Sequence, residues 1–316
     1  MTAQTFTLKQ LRFTFTLSSN AFFSGPNNTL VVEGLRASVK IQGSGLPAFS
    51  DAEMTVYGLK QQDMVALTSF TFQPPNAQSL ALNRNTVVVE ANSGQGWSTV
   101  FAGQIITAGP DYKEAPAVSL KLTARVLGYE SLAPAAASSY TGDTSVATIV
   151  GNMAARIGYA FENNGVQVQL SNPHFSGSIP DQLRTVRDHA DIDMYTEGGV
   201  LPGIASVGGA GSGAGIVAIC PKGVPRTLSS FVLSPTSGLV GYPVLDYQRQ
   251  CITVKAIFNP AFRFGGPITV AKSLVPTANG SWLIGVISHD LESLMPHGAW
   301  FSSMLLYPPN NTRAVQ

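Results

Sequence analysis

Between Gly238 and Tyr307 the chain is a succession of short apolar runs cut by turn residues, and this pattern restricts it to sheet. Ile252 to Phe258 (ITVKAIF) stops at Asn259 and Pro260. Pro267 to Ser273 (PITVAKS), Trp282 to His289 (WLIGVISH) and Ala299 to Tyr307 (AWFSSMLLY) follow. Runs rich in β-branched and aromatic residues suit a pleated, half-buried surface. None of them carries a nucleophile, a metal-ligand cluster or a phosphate loop. So much sheet with so little chemistry points to a structural or assembly component rather than an enzyme.

Composition supports that direction. Of 316 residues, 44% are hydrophobic and only 12% are charged, against a usual charged share of about 25%. A weakly charged surface can be buried in partners without stripping ions of water. The net charge is +1, and no five Lys or Arg cluster together, so a basic nucleic-acid face is not expected. Cys220 and Cys251 lie in or beside apolar runs and read as buried free thiols. Met1 to Thr5 shows no basic region leading into an apolar run, so no signal peptide is expected. The Asn-x-Ser/Thr patterns at Asn27, Asn279 and Asn310 are read as chance. Val200 to Cys220 is free of charge over a membrane-spanning length. Its glycine density opposes a helix, and a flexible loop entering a strand at Ile216 is expected, with no stable membrane insertion.

Three regions emerge along the chain. In the first, Phe6, Leu8, Leu11, Phe13, Phe15 and Leu17 alternate as one half-buried strand does. Leu35–Ile41, Ala52–Gly58, Thr86–Glu90, Ser98–Thr107 and Ala117–Val126 read as further strands, with a short helix over Lys60–Leu67 facing Met64 and Leu67 inward. Leu132 to Ser139 (LAPAAASS) is a linker. The middle region then changes period. Val146, Ile149, Val150, Met153, Ala154 and Ile157 share a helical face, with Asp143 or Thr144 as cap and Gly158 as stop. Ile179, Leu183, Val186 and Ala190 mark a second helix, with Ser178 or Asp181 near its cap and Pro180 in its first turn. Val166–Leu170 reads as a short strand between them. The expected fold is therefore mainly β with a smaller α+β part. Two antiparallel barrel-like domains, residues 1–133 and 236–316, flank an α+β middle domain, residues 134–235, that carries the glycine-rich loop.

Candidate chemistry is thin. Arg187, Asp188, His189 and Asp191 place a histidine among carboxylates, but no Ser or Cys motif accompanies them, and a solvated helix end is expected. His289, Asp290 and Glu292, with His174 or His297, lack metal-ligand spacing. Gly208 to Gly215 has neither a Gly-x-Gly-x-x-Gly register nor a following Gly-Lys-Ser/Thr, and it leads into a strand. Asp51 with Glu53, and Asp188, Asp191 and Asp193, are the dense acidic spots a glycoside hydrolase would need in one cleft. Trp97, Trp282 and Trp300 read as core or interface anchors. No catalytic, cofactor-binding or metal-binding residue is expected, and no cofactor.

The order of three segments resembles the bacteriophage tail and baseplate hub proteins, of which the T-even central hub is the type. Ala52 to Leu59 (AEMTVYGL) leads to a short helix with Asp63 and Met64, then Leu67 and Thr68. Gly142 and Asp143 precede one helix, and Gln182 and Leu183 lie on the next. Thr236 to Pro243 (TSGLVGYP) precedes Cys251 to Pro260 (CITVKAIFNP) and Gly265 to Val270 (GGPITV). The resemblance spans most of the chain. It implies two tube-like β-barrel domains joined to smaller ones, and a homotrimer whose six barrels match a sixfold tail tube on one face and a threefold spike on the other. The partners it implies are the spike protein, a tail tube or tube-initiator protein, the tape measure protein and other baseplate proteins. It places the chain in the virion, at a tail baseplate or tip assembled in the host cytoplasm, of contractile type first. Gln316 follows the last strand closely, so no fused lysozyme or peptidase module is expected. The alternatives are a cell-wall hydrolase using Asp188, Asp191 or Asp193, and a carbohydrate- or receptor-binding β protein using Trp97 or Trp300.

Overall fold

The alternation at the start of the chain becomes a strand, β1 (Gln10–Thr16), which buries Leu11, Phe13 and Phe15 on one face. A computed structural model describes residues 8–18, 22, 24, 28–44, 50–68, 85–132, 134–198 and 215–309. Phe6, and Gly208 to Ala214 of the glycine-rich loop, lie outside these, as do Asn27 and Asn310. Leu8 departs from the expected pattern: it precedes β1 and is half exposed.

The first region continues with β2 (Thr29–Glu33), β3 (Ala37–Ser44), β4 (Asp51–Tyr57) and helix α1 (Gln61–Leu67), which buries Met64 and Leu67 as its period requires. Then come β5 (Thr86–Asn92), β6 (Trp97–Asp111) and β7 (Ser119–Arg125). Strand β2 is not evident in the sequence because only five residues carry its alternation.

The middle region opens with two short strands, β8 (Ser138–Ser139) and β9 (Asp143–Ser145). Helix α2 (Val146–Arg156) follows, then β10 (Ala160–Asn163), β11 (Gln169–Ser171) and β12 (His174–Phe175). Helix α3 (Ile179–Ala190) leads into β13 (Ile192–Gly198) and β14 (Gly215–Pro221). The cap of α2 is Ser145, whose Oγ accepts from Thr148 N–H, and not Asp143 or Thr144. Those two pair with β11 and are already committed to sheet. Gly158 sits just past the helix with φ +72°, the left-handed stop expected of it. Ser178 and Asp181 form a reciprocal capping box on α3, with Pro180 in the first turn. The strand expected over Val166–Leu170 lies later, because Val166 turns into the core and its N–H is taken by Asn163 Oδ1.

The last region supplies β15 (Phe231–Leu233), β16 (Leu239–Asp246), β17 (Cys251–Ile257), β18 (Pro267–Val270), β19 (Gly280–Ser293) and β20 (Trp300–Tyr307). The fold is mainly β and largely antiparallel. One sheet runs β16-β17-β20-β19-β3-β4-β7-β6-β5-β1-β2, with β18 also on β19 and β15 parallel to β18. A separate sheet, β10-β14-β13, carries α2 and α3. The first and last regions are therefore stitched together by the β3–β19 ladder, from Ala37 opposite Ser293 to Ser44 opposite Val286.

Three cores result. The first packs on β1–β7 and α1 and includes Phe13, Phe15, Phe101 and Leu120. It also takes in Phe258, Leu291 and Trp300 from the last region. The second gathers Ile252, Val254, Ile268 and Met304 with Tyr195, Ile216 and Ala218 of the middle region. The third lies between the two helices and β13–β14. Trp300 is the largest fully buried side chain. Its indole N–H donates to Ser93 Oγ at 2.9 Å, and its ring meets Phe258 edge-on. We expect Trp300→Ala to cost about 3–5 kcal/mol, read as a lower denaturation midpoint in urea with an unchanged slope.

Candidate assembly surface and the junction behind it

The structure disperses most of the residues that could have made a catalytic centre. Asp188 and His189 are exposed on the last turn of α3, and Asp188 bonds its neighbour Arg187. Asp191 caps that helix and pairs with Lys222. Asp193 accepts from Gly223 N–H at 2.8 Å. Burial pushes its carboxyl up, against the pull of that N–H and of Lys222. Asp51 is held by Arg125 at 2.6 Å, while Glu53 points to solvent. His289 is buried, with Nδ1 2.8 Å from Ser302 Oγ. Desolvation, reinforced by Arg263, drives its pKa down to about 3, so the ring is neutral. Among the described residues no group of three or more His, Cys, Asp or Glu comes together as a metal site. Likewise, no described helix is long and apolar enough to cross a membrane. Cys220 and Cys251 are free and buried.

The tryptophans are anchors. Trp300 is in the core, and Trp282 donates to Ala278 O at 2.9 Å. Trp97 is half-buried with the Arg12 guanidinium 4.4 Å over its ring, and Glu90 holds Arg12 from the other side.

What the fold does assemble is a long outward face on the continuous sheet. Strand register sets its rows, because alternate residues share a face. Val244, Thr253, Leu305 and Val286 stand side by side across β16, β17, β20 and β19. Further along β17 on the same face, Ile257 lies opposite Phe301, whose ring is covered by Lys255 at 4.4 Å. Val244 is 65% exposed, and Tyr242 and Tyr247 of the same hairpin are exposed too. This end is open and mixed: exposed apolar side chains stand beside Lys255, and the hairpin tip carries the Asp246–Arg249 pair. Further across, the rows become charged. Lys40 sits between Asp290 and Glu53, Arg125 faces Asp51, and Lys121 meets Asp111 at 2.6 Å. Opposite charges on facing strands suit a solvated face.

A buried ion cluster fixes the middle region behind this sheet. Arg226 is fully enclosed. Its guanidinium reaches Glu162 of β10 at 2.7 Å and Glu197 of β13 at 3.2 Å, and Nη1 donates to Phe264 O. Arg226 N–H donates to Gly265 O, and Phe264 N–H donates to Glu197 Oε1. Burial works against the Arg226 charge, but the bonds and charges of Glu162 and Glu197 more than offset it and hold the proton firmly. Burial likewise pushes Glu162 up, yet Arg226 and Asn164 draw its carboxyl below the ordinary range. Two glycines permit the close approach. A Cβ on Gly198 would lie 1.8 Å from Ala102 O, and one on Gly265 (φ +66°) would strike the Tyr195 ring at 2.5 Å.

Apolar cores along one continuous sheet with an exposed outer face suit a structural assembly protein. The sequence profile of the baseplate hub gp41 family matches residues 10–202, and the chain belongs to that family: it is a structural component of a phage tail, and its place is the virion baseplate. No curated protein matches it in sequence. Among solved structures it is similar in fold to the 43 kDa tail protein of prophage MuSo2 from Shewanella oneidensis, with TM-score 0.58 and 7% identity over 95% of this chain and 98% of that one. A tail protein of Neisseria meningitidis aligns with TM-score 0.56 and 9% identity over 94% and 96% of the two chains. The Escherichia coli c3393 protein, a type VI secretion component described as similar to the T4 tail proteins gp27 and gp5, aligns with TM-score 0.59 and 8% identity over 96% and 78%.

Two predictions test the junction. Arg226→Ala leaves two carboxylates enclosed without their counter-ion, and we expect a loss of about 3–5 kcal/mol in urea unfolding, largely restored when Glu162 and Glu197 are also made Gln. The acid response follows from Glu162. Its folded pKa is depressed, so its stabilisation is present above the unfolded value of about 4.3 and is lost as pH falls through the folded value. Glu162→Gln is therefore expected to show a shallower decline in melting temperature below about pH 4.

Proposed function

We propose that three copies of this chain close into a ring at the centre of the baseplate and adapt a sixfold tail tube to a threefold spike. Each copy contributes two tube-like β units, residues 1–133 and 236–316, around the α+β unit of residues 134–235. Six quasi-equivalent units then face the tube while three chains face the spike. The observation that carries this reading is the β3–β19 ladder, which joins the first and last β regions into one sheet. Rigid pairing of two such units is what doubling a threefold assembly requires.

The open end of the outward face is the contact with the next copy. A ring is built from head-to-tail contacts that close, and permanent contacts of this kind bury about 2,000 Å² or more of largely apolar surface. The partners are the spike, the tail tube or its initiator, the tape measure protein and other baseplate proteins. The chain has no catalytic role and takes no cofactor, and it makes no specific nucleic-acid site or membrane insertion.

Light scattering on the purified protein, alone and with tube and spike proteins, tests the ring. The expected mass is threefold the 33.3 kDa chain, with spike binding retained. A monomer under all these conditions overturns the reading. The surface is tested by Val244→Lys combined with Ile257→Lys. Both side chains are at least half exposed, so the fold is expected to persist while the mass falls to that of one copy. An unchanged assembly removes this face from the interface.

A further inference from the structure

Where the three regions meet, the structure forms a small, partly open pocket of about 30 Å³. Ser50 contributes from just before β4, Glu197 from β13, and Arg263 and His289 from the last region. The rest of the wall is mainly apolar, with Phe101 and Ile287 among its residues. In this wall Ser50 Oγ has no hydrogen-bond partner, and Glu197 Oε2 has none besides the Arg226 guanidinium. Their residues are only 4% and 6% exposed. Glu197 Oε1 is committed to Phe264 N–H. Oε2 faces Arg226 Nη1 at 3.2 Å as an ion pair, which leaves it capacity to accept, since a carboxylate oxygen has two lone pairs.

Buried oxygens of this kind find partners in folded proteins. The size of the pocket limits the partner. A water needs about 10–15 Å³ of such space and two to four polar contacts, so there is room for a water and little more. Charge limits it further. A cation would join Arg226 and Arg263, and an anion would meet Glu197. His289, held neutral by burial, adds no charge.

We propose that this pocket is a binding site for a single structural water that donates to Glu197 Oε2 and shares a hydrogen bond with Ser50 Oγ. The water links the residue just before β4 to β13, beside the segment that closes on Arg226. It completes the carboxylate that holds both Arg226 and Phe264, so all three regions are joined through one hydrogen-bonded centre. The site stands whether or not the chain forms a ring.

A crystal structure of the wild-type protein, at a resolution that orders interior waters, decides the matter. One peak within hydrogen-bond distance of both Ser50 Oγ and Glu197 Oε2 is expected. A dry pocket, a direct Ser50–Glu197 bond, or a peak with anomalous scattering overturns the assignment. In solution, magnetic relaxation dispersion counts long-lived waters. Ser50→Ala is expected to hold one fewer than wild type and to melt at a lower temperature. An equal count together with an equal melting temperature would also overturn it.

Discussion

The β3–β19 ladder is the constraint on which the other parts of this molecule depend. Residues 37–44 and 286–293 come from opposite ends of the chain and pair without interruption. Neither half could extend its sheet into the other without that register. Because the side-chain period is two, a slip by one residue would turn Val39, Ile41, Leu291 and Ile287 outward and bury Lys40 and Asp290. Trp300 and Phe258 reinforce the same join from inside, by crossing from the last region into the core of the first. Backbone hydrogen bonds and a shared core yield less than a linker does, so the two halves are joined rigidly.

The middle region is attached differently. It shares few backbone bonds with the large sheet and is held by the second apolar core, through Tyr195, Ile216 and Ala218, together with the enclosed Arg226 and its two glutamates. Buried ion pairs add little net stability compared with apolar replacements, but they are severe when broken. The arrangement therefore specifies one docking angle more than it adds stability. Gly198 and Gly265 belong to the same device, because close backbone approach is what places the carboxylates around the guanidinium. The small pocket at this junction lies beside the same glutamate.

The surface and the interior then divide their tasks. Inside, the cores are conventional and apolar. Outside, one sheet carries both a solvated, charge-balanced end and an open end with exposed apolar side chains, so its polarity changes along the strand order rather than along the sequence. Val244, Leu305 and Val286 are far apart in the chain and become neighbours only through pairing. The low charge content of the whole chain has its counterpart here, where Val244, Ile257, Tyr242 and Tyr247 stand exposed.

Much of this was legible in the chain alone. The alternation of Leu11, Phe13 and Phe15, the helical face from Val146 to Ala154 and the caps at Ser178 and Gly158 are local, and local period determines local structure. The sparse ionisable groups likewise pointed away from catalysis, and the order of three short motifs pointed to tail hubs. The function of Arg226 was not legible, because nothing near it in sequence marks it, and its partners lie at Glu162 and Glu197. Nor were the short strands β2 and β10, whose pairing comes from distant neighbours. Asp143 and Thr144 have the chemistry of helix caps, but their ladder with β11 claims them. Strand pattern is a property of a few adjacent residues, whereas register, docking and the composition of a sheet face are properties of contacts between distant ones; the first the sequence by itself determined, and the second only the tertiary structure decided.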